Sequence, residues 1–258
     1  MRASPKVIIA PTLVPMASVY QLSRSGGPRS PRFAAYVALV EHAWGLSSFN
    51  PMAGDAAAFA VDTLIALDAE AVAAAAAERV LEICDWRDPI TLAVVVASPG
   101  MWTDRLATAV RHRTLADRRA AHGEILLWSG DASAIDDIRI ESAAEAVRTI
   151  WTALHWPTRT LEDVLSREGL AYALARPSTA SGPTDPTIAE ALEVLGNTST
   201  LGDIIAVLYG DHAASTLGHT PLGLTERAGY EWAISAAAER VGRVGAPMAL
   251  REEQISLP

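Results

Sequence analysis

Guanidinium groups are the first side chains in this sequence whose numbers and spacing suggest chemistry. Arg24 and Arg29 lie in a stretch rich in Gly, Ser and Pro, Arg32 follows, and no acidic residue precedes Glu41. Further along, Arg105, His112 and Arg119 recur every seven residues, which places them on one face of a helix. Arginine forks hold carboxylate or phosphate through two parallel hydrogen bonds, so two such patches meeting would bind an anionic substrate. The plainer alternative is a solvated arginine face balanced by Asp104 and Asp117.

Proton transfer has three candidates: Glu41, His42 and Asp104. Helical spacing sets Glu41 beside Val37 and Trp44, at the margin of an apolar face. A carboxylate there is expected to titrate high through desolvation and to serve as acid or base; a boundary salt bridge is the alternative. Trp44, Trp102 and Trp128 offer flat apolar walls with one donor each, suited to an aromatic ligand. Trp151, Trp156 and Trp232 read as core or interface. Ser98 and Ser129 follow apolar runs and precede turns, as residues lining a site at strand ends do.

Other chemistries lack their signatures. The six histidines show neither HExxH nor a pair at i, i+4, so no metal site and no cofactor is expected. Walker, Gly-x-Gly-x-x-Gly and Gly-x-Ser-x-Gly patterns are missing as well. Asp211-His212 with His219 reads as helix surface, since a triad carboxylate must reach its imidazole across the fold. Cys84 is the single cysteine and ends the apolar run of Val80, Leu81 and Ile83, so it reads as a buried, inert thiol.

The elements that would position these groups are legible from apolar patterning. Residues 91–97 (TLAVVVA) are apolar on both faces and β-branched, as the interior of a parallel sheet requires. Residues 7–10 and 124–128 read as two more strands, and a helix over 102–121 makes a right-handed, parallel βαβ unit. Parallel strands would then deliver Thr12, Ser98 and Ser129 to one edge, where open α/β sheets bind ligands. Ser30-Pro31 starts a helix carrying Phe33, Tyr36, Val37, Val40 and Trp44. A long helical region over 55–84 is expected to break near Asp68. Another helix spans 135–156, and Thr160 to Asp163 reads as a capping box opening the next.

The fold class expected is α/β and helix-dominated: a small, partly parallel sheet with a βαβ unit, plus an all-helical C-terminal segment. Residues 1–175 form the α/β domain, 176–187 a linker, and 188–258 a helical subdomain or lid. Helices are expected over 188–195, 200–209, 211–217 and 225–243.

Composition sets the outer bounds. The 258 residues carry 21 basic and 30 acidic side chains, a net charge of -9. Residues 1–130 balance at 12 of each, so the deficit falls in residues 131–258, with 9 basic against 18 acidic. Such a chain does not track phosphate backbones, and no nucleic-acid partner is expected. Over 188–258 nine acids face four arginines, which argues against reading the helix-turn-helix-like spacing there as a DNA reader. No run reaches the ~18 apolar residues of a membrane span. Residues 7–17 are interrupted by Pro11 and Pro15, unlike a secretory leader. A cytoplasmic location is therefore expected. Lys6 is the single lysine, the usage of a GC-rich bacterial genome of actinobacterial type. The function expected is a soluble, metal-independent bacterial enzyme of specialised metabolism, acting on a small or medium anionic or aromatic substrate. The alternative is a non-catalytic helical adaptor with an acidic interaction surface, and self-association into a homo-oligomer suits either.

Overall fold

Three β-branched or apolar runs become the strands β1 (Val7–Ala10), β2 (Ile90–Ala97) and β3 (His122–Trp128). They form one sheet in the order β1-β2-β3, with both pairings parallel, Ile9 opposite Leu92 and Ala97 opposite Trp128. The computed structural model describes residues 6–22, 30–42, 48–98, 105–110, 122–130, 134–155, 158, 160–176 and 187–252, with the side chains of Glu41, His42, Arg105 and Ala109 outside that set. Helices dominate, so the α/β class with a helical C-terminal part holds.

Two helices precede the long helical region. Helix α1 (Leu13–Gln21) falls where the sequence suggested only an interrupted apolar stretch. Pro15 sits in its first turn, where a missing N–H costs no intrahelical bond. Helix α2 (Pro31–His42) begins as Ser30-Pro31 implies, with the Phe33 amide donating to Ser30 Oγ at 3.1 Å. Its apolar stripe is only partly covered, since Phe33, Tyr36 and Val40 are half-buried and Val37 is exposed.

The region 55–84 divides into α3 (Asp55–Ala66) and α4 (Ala69–Ile83). Asp68 makes the break at φ 51°, a left-handed conformation that Asp tolerates better than most residues. Of the expected 102–121 helix, the described part is α5 (Arg105–Val110).

Helix α6 (Ile135–His155) leads to α7 (Leu161–Ala175), which opens on a complete capping box. The Asp163 amide donates to Thr160 Oγ1, and the Thr160 amide to Asp163 Oδ2. Residues 177–186, nearly all of the expected linker, lie outside the described residues. Then come α8 (Thr187–Leu195), α9 (Leu201–Tyr209), α10 (Asp211–Thr216), α11 (Ala228–Val244) and α12 (Ala246–Arg251). The last of these was not foreseen.

Helices α4 and α6 pack side by side on one face of the sheet, α7 packs on α6, and α11 packs on α7. Two glycines allow close approaches in this stack. A Cβ on Gly123 of β3 would stand 2.5 Å from Thr149 Oγ1 and 2.6 Å from Glu145 Oε1 of α6; one on Gly169 of α7 would strike the Ala233 carbonyl of α11. The buried apolar side chains form one contiguous cluster reaching from Leu13 to Leu250.

The seam between α6 and α7 is polar despite its depth. Glu145, Arg148, Arg167 and Glu168 are each no more than 3% exposed. Glu168 accepts from Arg148 Nε at 3.1 and 3.0 Å and from Arg167 Nε at 3.1 Å, while Arg148 Nη1 reaches Glu145 Oε2 at 3.3 Å. Two carboxylates face two guanidiniums, so the formal charges cancel.

Candidate functional site

Three strand exits meet at the C-terminal edge of the sheet, and most polar groups there are already committed to holding it together. After β1, Thr12 is fully buried and its hydroxyl donates to the Val94 carbonyl at 2.5 Å. The amides of Thr12, which caps α1, and of Leu13, its first residue, donate to Glu70 Oε1 of α4 at 2.9 and 3.1 Å. A helix N-terminus behind a strand is the usual anion cradle of this architecture. Here a carboxylate of the same chain fills it.

The exit of β2 is flanked on both sides. Strand β1 pairs only as far as Ala93, and beyond it Phe49 forms an antiparallel bridge to Ala97. This seats Ser48, Phe49 and Asn50, all buried, beside Ser98, which is buried at the end of β2. Tyr20 anchors the loop, its hydroxyl donating to the Asn50 carbonyl at 2.9 Å and its ring meeting Phe49 edge-on at 5.3 Å. On the other flank the Ser129 amide donates to the Ala97 carbonyl at 2.9 Å. Ser98 and Ser129 therefore come to adjacent positions on one edge, as parallel pairing required.

Strand β3 alternates by face. Gly123, Ile125 and Leu127 are buried on the face that carries α6, while His122, Glu124, Leu126 and Trp128 stand half-buried on the other. Glu124 is the residue that sequence reasoning missed. It is paired in register with Ala93, whose methyl leaves room for a longer neighbour, and Ser48 Oγ donates to Glu124 Oε2 at 3.5 Å, the long end of a hydrogen bond. His122 shares its face two residues away. The available signal was the period-two pattern over residues 122–128, which sets a histidine, a carboxylate and an indole on one side of a strand.

The other sequence candidates distribute unevenly. Glu41 and His42 are the last two residues of α2, and Arg105 is the first of α5, with all three side chains outside the described set. Arg24, Arg29, Trp44, Trp102 and Asp104 lie outside the described residues. Arg32, grouped by sequence with the anion-binding cations, is 3% exposed and directed at backbone carbonyls. It donates to Leu22 at 3.1 Å, to Tyr20, and to Pro51 at 3.5 Å, and so holds the end of α1 against the 48–51 loop. Asp211 accepts the amides of Leu222, Gly223 and Leu224 at 2.8, 2.9 and 3.2 Å, a loop-holding role.

Among the described residues the strand order does not reverse, so no switch-point crevice forms between oppositely directed crossovers there. Any hollow at this edge is built by the loop at 48–51 and the half-buried face of β3. Two displaced titrations lie elsewhere. Burial pushes the Cys84 thiol up to about 12, and burial followed by the neighbouring Asp163 carboxylate raises Glu162 above the usual carboxylate range. Among the described residues no group of three or more His, Cys, Asp or Glu is placed to hold a metal ion, and no helix is long and apolar enough to cross a membrane. Comparison with family models, curated proteins and solved structures returned no match to this chain.

Proposed function

We propose that the protein is an enzyme for a small anionic or aromatic substrate, working where the half-buried face of β3 meets the C-terminal edge of the sheet. The observation that carries this reading is Glu124: a carboxylate in the middle of a parallel strand, directed onto the sheet face and met by Ser48 from another loop. The position is half-buried, so the carboxylate stays open to a ligand on that face, where an apolar side chain would serve packing alone. Glu124 is the proton-transferring group, Ser48 orients it, and Trp128 supplies the apolar wall. Ser98 and Ser129 line the edge. Glu41 and His42 end α2 only a few residues before Ser48, and they stand as further acid–base candidates. Arg105, opening α5 a few residues after Ser98, is the nearest sequence candidate for holding negative charge.

The adaptor reading would draw support from a continuous apolar patch. Among the described residues the most exposed large apolar side chains, Val14, Phe59, Val194 and Met248, sit on four different helices. The test is mass-spectrometric comparison of a bacterial small-metabolite extract before and after incubation with the wild type or Glu124→Gln. Consumption of an anionic or aromatic compound by the wild type alone is expected. No change in the extract, or equal turnover by the variant, removes the proposal.

A further inference from the structure

A trough of about 630 Å³ runs along the helical layer, lined by α4, α6 and the end of α7, and its chemistry differs from that of the sheet edge. Val72, Ala76, Arg79 and Ile83 of α4 form one wall, with Arg139 of α6 and Leu174 of α7 opposite. The four α4 positions follow helical spacing, so they make a stripe about 16 Å long. The trough exists because α4 carries five consecutive alanines at residues 73–77. Ala73 and Ala77 are buried, while Ala75 and Ala76 face the trough with methyls too short to fill it.

Among the described residues the lining is apolar apart from two cations, with no carboxylate, hydroxyl, thiol or imidazole. The described lining therefore offers binding, not proton transfer or nucleophilic attack. Arg79 makes no hydrogen bond or ion pair among the described residues. Arg139 is held only by an exposed pairing with Asp136 at 3.0 Å, a type of contact that competes weakly with a ligand. Volume and lining match the usual small-molecule pocket: mostly apolar walls with a few polar groups that fix orientation.

We propose that this trough is a binding site for an amphipathic anion, with an acyl or aryl chain along the α4 stripe and a carboxylate held by Arg79 and Arg139. The site is independent of the catalytic reading above, and failure of either leaves the other standing. Isothermal titration calorimetry with decanoate and decanol tests it on the wild type, Arg79→Gln and Ala75→Phe. Both positions are exposed, and circular dichroism confirms that each variant folds. Decanoate is expected to bind one site about tenfold tighter than decanol, the size of one charge-assisted contact. Arg79→Gln brings decanoate down toward decanol, and Ala75→Phe abolishes both. Equal affinity for the two probes, unchanged binding in Ala75→Phe, or no decanoate binding up to about 1 mM overturns the proposal. So does sedimentation showing a dimer that Ala75→Phe dissociates, which assigns the trough to a second copy of the chain.

Discussion

Removing one charge from the seam between α6 and α7 is expected to destabilise the protein far more than removing any surface ion pair. Glu168 is fully buried and is shared by Arg148 and Arg167, so Glu168→Leu removes the carboxylate that two buried guanidiniums share. Breaking a buried pair from one side costs about 3–5 kcal/mol, because the uncompensated charge cannot return to water. At roughly 2–4 °C per kcal/mol for a chain near this size, the melting temperature should fall by about 6–20 °C. Arg148→Met should cost a similar amount. The double variant removes one charge of each sign, so its loss should fall short of the summed single losses by about 1–3 kcal/mol. Urea unfolding followed by tryptophan emission is a suitable assay, since Trp151 on α6, one turn after Arg148, is fully buried. Single losses below about 1 kcal/mol, as for exposed pairs, or strict additivity in the double variant, would refute the assigned geometry.

Three further outcomes follow from single contacts. Gly169→Ala drives a methyl into the Ala233 carbonyl and should cost about 1–3 kcal/mol by forcing α7 from α11, read from the same urea curves. An unchanged midpoint would mean the helices are not in close contact. Asp211→Ala strips the acceptor from three amides and should raise hydrogen exchange at Leu222, Gly223 and Leu224 while leaving the sheet protected. Glu162 is raised by burial, so the folded state holds its proton more tightly than the unfolded chain does. Its contribution to stability is therefore greatest at low pH and falls as pH rises from the ordinary carboxylate range through the raised folded value. Glu162→Gln should gain on the wild type across that window and not below it; a pH-independent difference would contradict the assignment.

The parts legible in the sequence are those decided locally. β2 is apolar on both faces and β-branched, which in a chain with an intervening helix leaves a parallel interior strand as the economical solution. Asp68, Ser30-Pro31 and the Thr160 capping box each act within a few residues, and each stands where its local chemistry implies. Long-range pairing escaped notice. Glu70 reaches α1 across 58 residues, and nothing in either segment marks the partnership. Glu145, Arg148, Arg167 and Glu168 were invisible for a different reason: charged residues in helices are read as surface, since they are buried almost only when paired. Glu124 fell between the two cases. Its alternation with Ile125 and Leu127 was visible, but the strand's apolar content drew attention from the one polar face. Pro11 and Pro15 masked α1, although a proline in the first turn is compatible with a helix.

A ligand titration followed by backbone and side-chain NMR tests most directly the proposal that chemistry occurs on one face of β3. The substrate identified from metabolite profiling should perturb residues 48–50, 97–98 and 122–130 and leave the α4 trough unmoved. Perturbations confined to α4, α6 and α7, or to residues far from the sheet edge, would contradict it.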